Sequence, residues 1–169
     1  KPTTGRRQIS HTITMTISSD GTGYTANSIT INGKATTGFA SAGGNNYQVT
    51  YTVTIGDNDI ADAAQIPISV VLTDAAGNSN AAFTTSPSAG NSPAIDAHVP
   101  TLSTVTIASN NANTALAKVG NTVTVSFISN ESISSPTVTI SGRPGTVSGG
   151  PTSWSASTAM ISGDTAGVV

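Results

Sequence analysis

The chain contains no cysteine, one tryptophan and one glutamate, and only 8% of its residues are Asp, Glu, Lys or Arg. Without cysteine there are no disulfides, no thiolate metal sites and no Cys nucleophile, although the compartment is left open. Ordinary soluble domains carry about 25% charged residues, so this surface must be hydrated by something other than charge. The formal net charge is −2, and basic residues do not cluster beyond Arg6-Arg7. Nucleic acid is therefore not an expected partner, because phosphates need a basic stripe to neutralise them. No apolar run approaches the ~20 residues of a membrane-spanning helix, and no membrane insertion is expected in this segment. Residue 1 is Lys and no signal-peptide pattern follows, so the opening reads as an interior point of a longer chain.

What fills the gap is Ser and Thr, roughly three residues in ten. Thr, Val and Ile suit pleated, half-buried surfaces, while the helix formers Leu, Glu, Lys and Arg are scarce. The composition points to an all-β protein, and the patterning agrees. His11-Thr-Ile-Thr-Met-Thr-Ile17 alternates Thr with apolar residues. Ser28-Ile-Thr-Ile31 does the same and stops at Asn32-Gly33, a hairpin-turn dipeptide. Further strands are predicted over Tyr47–Ile55, Ile66–Thr73 and, after a turn at Asp74–Asn78, over Ala81–Thr85. A second set follows at Ser103–Ala108, Thr122–Ile128, Thr137–Ser141 and Ser153–Ile161. A helical turn is conceivable only near Asp59–Ala64. The stretch 86–100 is rich in Ser, Pro, Gly and Asn and reads as a boundary, with the linker itself at 91–100.

The two sets are related. His11-Thr-Ile-Thr-Met matches Asn121-Thr-Val-Thr-Val, Ile29-Thr-Ile-Asn-Gly33 matches Val138-Thr-Ile-Ser-Gly142, Tyr47 falls opposite Trp154, and Gly56-Asp57 falls opposite Gly163-Asp164. The spacing of about 110 residues suits a two-sheet sandwich of about 100 residues with seven strands. The copies are cut differently. Thr101–Asn110 has no counterpart ahead of His11, and nothing after Asp164 matches Ile66–Thr85. Either the protein continues in both directions, or neighbouring chains supply the missing strands.

Pro100-Thr-Leu-Ser-Thr-Val-Thr-Ile-Ala-Ser-Asn110, Ala117-Lys-Val-Gly-Asn-Thr-Val-Thr-Val125, Trp154 and Ser162-Gly-Asp-Thr-Ala-Gly167 resemble the bacterial Ig-like (Big-type) tandem repeats of large surface adhesins. Leu72-Thr-Asp-Ala-Ala-Gly-Asn78 is similar to the closing hairpin of those repeats, and Asp96-Ala-His-Val-Pro-Thr101 to their linker. The resemblance implies tandem immunoglobulin-like antiparallel β-sandwiches: one repeat over 1–90 lacking its first strand, the linker over 91–100, and a second repeat over 101–169 lacking its last two strands. It also implies an extracellular or bacterial-surface location and a spacer or stalk role without enzymatic activity. The partners would be neighbouring repeats of the same chain or like chains, with a cell-surface or glycan ligand as a further candidate. Two other functions stay open: a self-assembling filament subunit completed by strand donation between chains, and a carbohydrate- or surface-binding module.

The candidate chemistry is sparse. Asp57, Asp59 and Asp62, with Asn58 among them, could wrap Ca²⁺, which takes six to eight oxygen ligands. The alternative is an acidic loop in solvent, and the second copy keeps only Asp164. Asp74, Asn78 and Asp96 could converge on an ion between consecutive repeats; ordinary turn chemistry is the competing account. His11 and His98 read as surface residues, since a general base needs a third group to position it. Tyr47 and Trp154 share one repeat position and are expected in sandwich cores, whereas Tyr24 and Phe39 fall in loop-like regions and are better candidates for exposed contacts.

Overall fold

The computed structural model describes residues 6–86 and 92–164. Among these there is no helix, and every regular element is a strand. No barrel is closed. The chain divides into two compact units, Lys1–Val99 and Pro100–Val169.

The first unit contains β1 (Arg7–Gln8), β2 (Thr12–Ser18), β3 (Thr25–Ile31), β4 (Lys34–Ala35), β5 (Thr37–Gly43), β6 (Asn46–Thr52), β7 (Ile68–Thr73) and β8 (Ile95–Asp96). Two antiparallel three-stranded sheets, ordered β2-β6-β5 and β4-β3-β7, share one apolar core in a sandwich-like arrangement. The period-2 pattern explains this directly. Ile13, Met15 and Ile17 of β2 turn inward beside Tyr47, Val49 and Tyr51 of β6, while the intervening Thr residues face solvent. Ile29 and Ile31 of β3 and Val70 and Leu72 of β7 supply the other side. The hairpin between β3 and β4 turns at Asn32 and Gly33, with φ of 55° and 73°. Both central residues of this tight turn need positive φ, which Asn tolerates and Gly adopts freely.

Four departures from expectation have local causes. β5, Thr-Gly-Phe-Ala-Ser-Ala-Gly, has a composition depleted in strand formers, and pairing with β6 imposes its extended form, with irregular register on the way. Ala81–Thr85 does not form a regular strand: it touches β7 through the isolated Val70–Phe83 bridge, and Ser79 bridges Thr73. Residues 92–97, inside the expected linker, belong to the first unit. Ala94, Ile95 and Ala97 are buried, and β8 pairs in parallel with β1. In place of the conceivable helical turn near Asp59–Ala64, Ile60 bridges Ile95 and residues 61–64 form a turn in which Ala64 N–H donates to Ala61 C=O and Ala63 has positive φ.

The second unit contains β9 (Leu102–Ser109), β10 (Thr122–Ser129), β11 (Thr139–Ile140), β12 (Arg143–Pro144), β13 (Thr146–Gly149) and β14 (Ser153–Ala159). Its sheet runs β13-β14-β10-β9, beside a β11-β12 hairpin. The order β10-β14-β13 reproduces β2-β6-β5 of the first unit. The hairpin reproduces β3-β4 down to its turn, where Ser141 and Gly142 have φ of 52° and 73°. Even isolated backbone bonds repeat: Thr36 N–H donates to Ile29 C=O, as Gly145 does to Val138, and Val53 donates to His11, as Met160 does to Asn121. β9 has no partner in the first unit among the described residues; it lies antiparallel along the outer side of β10, the equivalent of β2.

Candidate functional site

The acidic loop that follows β6 begins in the core. Asp57 is buried, and its carboxylate is committed to neighbours in its own unit. Oδ2 accepts from the Tyr51 hydroxyl at 2.6 Å and from the Thr54 backbone N–H at 2.7 Å, while Oδ1 faces the Lys34 ammonium at 3.1 Å. Asn32 joins the network, its amide donating to Asn58 C=O at 2.8 Å and toward the Tyr51 hydroxyl at 3.4 Å. Burial by itself pushes the Asp57 pKa up, but donation from Tyr51, Thr54 and Lys34 outweighs it and holds the carboxyl below the usual carboxylate range. The reciprocal effect falls on Tyr51, which burial and then the hydrogen bond to Asp57 push up to about 12.

The second unit carries the same device. Arg143 follows the Ser141-Gly142 turn as Lys34 follows Asn32-Gly33, and it grips Asp164 with two bonds, Nε to Oδ1 at 3.1 Å and Nη2 to Oδ2 at 2.6 Å. Ile161 N–H donates to Asp164 at 2.8 Å, as Thr54 does to Asp57. Asp164 is held below the ordinary carboxylate range by that backbone donor and by Arg143, against burial. In each unit a cation placed by a tight turn thus anchors the loop that leaves the long inner strand. Sequence reading found the aspartates and missed Lys34, Arg143, Tyr51 and Asn32. A signal was present, since both copies place a basic residue directly after the turn glycine.

The remaining candidates disperse. Asp59 lies in the loop with its Oδ1 accepting from Ala97 N–H at 2.8 Å and both oxygens 3.1 Å from His98 Nδ1. The Ala97 donor, opposed by desolvation and helped by His98 and Arg6, lowers the Asp59 pKa. Asp62 is exposed. Asp74 and Asn78 do meet, but in a self-contained turn: Asp74 accepts from the backbone of Ala76 and Asn78 and from the Asn78 amide at 3.1 Å. Asp96 instead pairs with Arg6 at 3.2 Å. Among the described residues, no group of three His, Asp or Glu side chains converges as a metal site would require. His11 accepts from Gln8 N–H through Nδ1 at 3.2 Å.

The aromatic residues sort differently from expectation. Tyr47 is buried, as expected, and Trp154 is half-buried, its indole N–H donating to Pro151 C=O at 3.1 Å. Phe39 and Tyr24, expected as exposed contacts, pack on Tyr47 instead. Phe39 lies in β5 with its ring stacked 4.9 Å away, and Tyr24 meets Tyr47 edge-on at 6.3 Å. The first unit thereby loses its free aromatic platform to its own core.

The first unit has one further feature of note. A groove of about 660 Å³ opens between β2 and β7, lined by Met15, Ile17, Ile68, Val70, Leu72 and Phe83 among others, with Asp20 and Asp74 at its wall. It lies between the two sheets, on the side where β2 is an edge strand. In comparison with known proteins, the chain matches no family model, no curated protein and no solved structure.

Proposed function

We infer that this chain is a pair of Ig-like β-sandwich repeats from a large extracellular bacterial surface protein, acting as a spacer or stalk. Its partners are then neighbouring repeats, and its role is mechanical and spatial, without catalysis. One observation carries this reading: the two units repeat a strand order, a tight turn and an acid–base anchor at matching positions. Repeat arrays reuse one structural solution in this way, because each copy needs only to fold and to extend the row. The anchor suits such a role, since it fastens the segment leaving the inner strand of each unit. The sequence resemblance to Big-type repeats and the low-charge, Thr-rich surface support the same reading.

A strand-donated filament is the second reading, favoured by the edge of β2, which has no further strand beside it among the described residues. A carbohydrate-binding role has less support, because its best aromatic candidates are engaged in packing. Single-molecule force spectroscopy on the full chain tests the spacer reading. Pulling from end to end is expected to give two separate unfolding events, one per unit. A chain that extends smoothly, without discrete resistance, would overturn it.

A further inference from the structure

In the second unit a strand already lies along the edge that corresponds to the outer side of β2. We propose that β2 and the groove beside it form a strand-acceptor site for an extended, uncharged segment with aliphatic side chains at alternate positions, laid antiparallel along β2.

Ser19 N–H donates to Asn45 C=O and Val53 N–H donates to His11 C=O across the β2–β6 ladder. Alternation then turns the backbone groups of Ile13, Met15 and Ile17 toward β6, and those of Thr12, Thr14, Thr16 and Ser18 toward the opposite, open side. In the second unit the corresponding side of β10 is filled. Asn110 N–H donates to Thr122 C=O at 3.0 Å, and β9 pairs Ala108, Thr106 and Thr104 with Thr124, Ser126 and Ile128. Mapped through the repeat, Thr124, Ser126 and Ile128 are Thr14, Thr16 and Ser18.

Side chains agree with the backbone. Val105 and Ile107 of β9 sit directly opposite Phe127 and Val125, on the same face of the sheet, and stay 58% and 47% exposed because the described residues of the second unit include no equivalent of β7 to cover them. A strand of the same pattern on β2 would set its aliphatic residues opposite Ile17 and Met15, above Ile68, Val70 and Leu72 in the groove. Burying two aliphatic side chains there takes apolar surface out of water and so favours the added strand. An edge with no partner among the described residues and an apolar floor is the arrangement that strand addition uses, with main-chain bonds for affinity and alternate pockets for selectivity. The inference holds whether or not the units serve as spacers.

The test uses the full chain and a synthetic peptide of the sequence Pro100–Asn110, read by site-resolved amide hydrogen exchange. Saturating peptide is expected to slow exchange at Thr14, Thr16 and Ser18 by about ten-fold or more. A peptide with Val105→Asp and Ile107→Asp is expected to leave these amides unchanged. Thr16→Pro in the chain removes an outward donor while sparing the ladder to β6, and should abolish the effect. Should that variant fail to fold, the pair of peptides decides alone. Slowing of the same amides with rising chain concentration and no peptide would support the site and identify a second copy as donor. No slowing up to the solubility limit, equal slowing by both peptides, or slowing confined to the second unit would overturn the proposal.

Discussion

In the first unit the anchoring carboxylate, Asp57, is 1% exposed and its cation, Lys34, is 50% exposed; in the second, Asp164 is 10% and Arg143 31% exposed. The positions match, but the chemistry is divided differently. Tyr51 gives Asp57 a neutral, buried donor and leaves Lys34 to supply charge from the rim. Thr158 stands where Tyr51 does and is too short to reach the acid, so the Arg143 fork takes both tasks and also donates to Ala159 C=O at 2.8 Å. A repeat position can thus conserve an interaction while exchanging its donors. The deeper acid depends on more fixed partners, and its loss should cost more.

That contrast is measurable because the probes separate. All three tyrosines, Tyr24, Tyr47 and Tyr51, lie in the first unit, and the single tryptophan, Trp154, lies in the second. Asp57→Ala is expected to lower the stability of the first unit by about 2–4 kcal/mol, through a buried Tyr51 hydroxyl and a backbone N–H left without acceptors. Asp164→Ala should cost the second unit less, because Arg143 stays partly solvated. Urea unfolding followed by tyrosine and by tryptophan emission reads the two separately. An Asp164→Ala loss equal to the Asp57→Ala loss would break the link between depth and cost.

The pH dependence sharpens the same comparison. Both acids sit below their ordinary range when folded, so each contributes stability that is fully present above the unfolded carboxylate pKa of about 4 and is lost as pH falls below it. Tyr51 works on the alkaline side. Its folded pKa is raised from 10.0 to about 12, so its contribution is complete below pH 10 and drains away as pH rises toward 12. Both units should therefore weaken in acid, but only the first should lose this increment in alkali. Tyr51→Phe should flatten that alkaline limb of the tyrosine-monitored stability curve. A matching alkaline loss in the tryptophan signal would point to some other group.

The smallest expected effect is that of calcium. The oxygens of Asp57 are already taken up by Tyr51, Thr54 and Lys34, and Asp59 is engaged with Ala97 and His98. Melting temperatures of both units in calcium and in EDTA are expected to coincide. A calcium-dependent rise in the tyrosine-monitored transition alone would place an ion at the Asp59–Asp62 loop of the first unit.

Much of the fold is legible in the residues. Thr alternating with Ile, Met or Val marks β2, β6 and β10, because only one side of each strand can face apolar neighbours. Asn32-Gly33 and Ser141-Gly142 mark the tight turns, and the matched segments announce the duplication. Residues that carry no local signal were misread. β5 is built of Gly, Ala and Ser and is a strand only because β6 offers it a ladder. Ala94, Ile95 and Ala97 follow a Ser- and Pro-rich stretch and read as linker, yet they are core.

The sequence by itself determined that this protein is all-β, sparsely charged and internally duplicated, since alternation, turn dipeptides and repetition are written at the scale of a few residues. Only the tertiary structure decided what its acids do. Asp57 looked like a ligand in a loop until Lys34, distant in sequence, and Tyr51, on the neighbouring strand β6, closed around it; Phe39 and Tyr24 looked exposed until Tyr47 gathered them. The reason is physical: burial and pairing depend on which strands lie side by side, and that is settled by the packing of the whole unit.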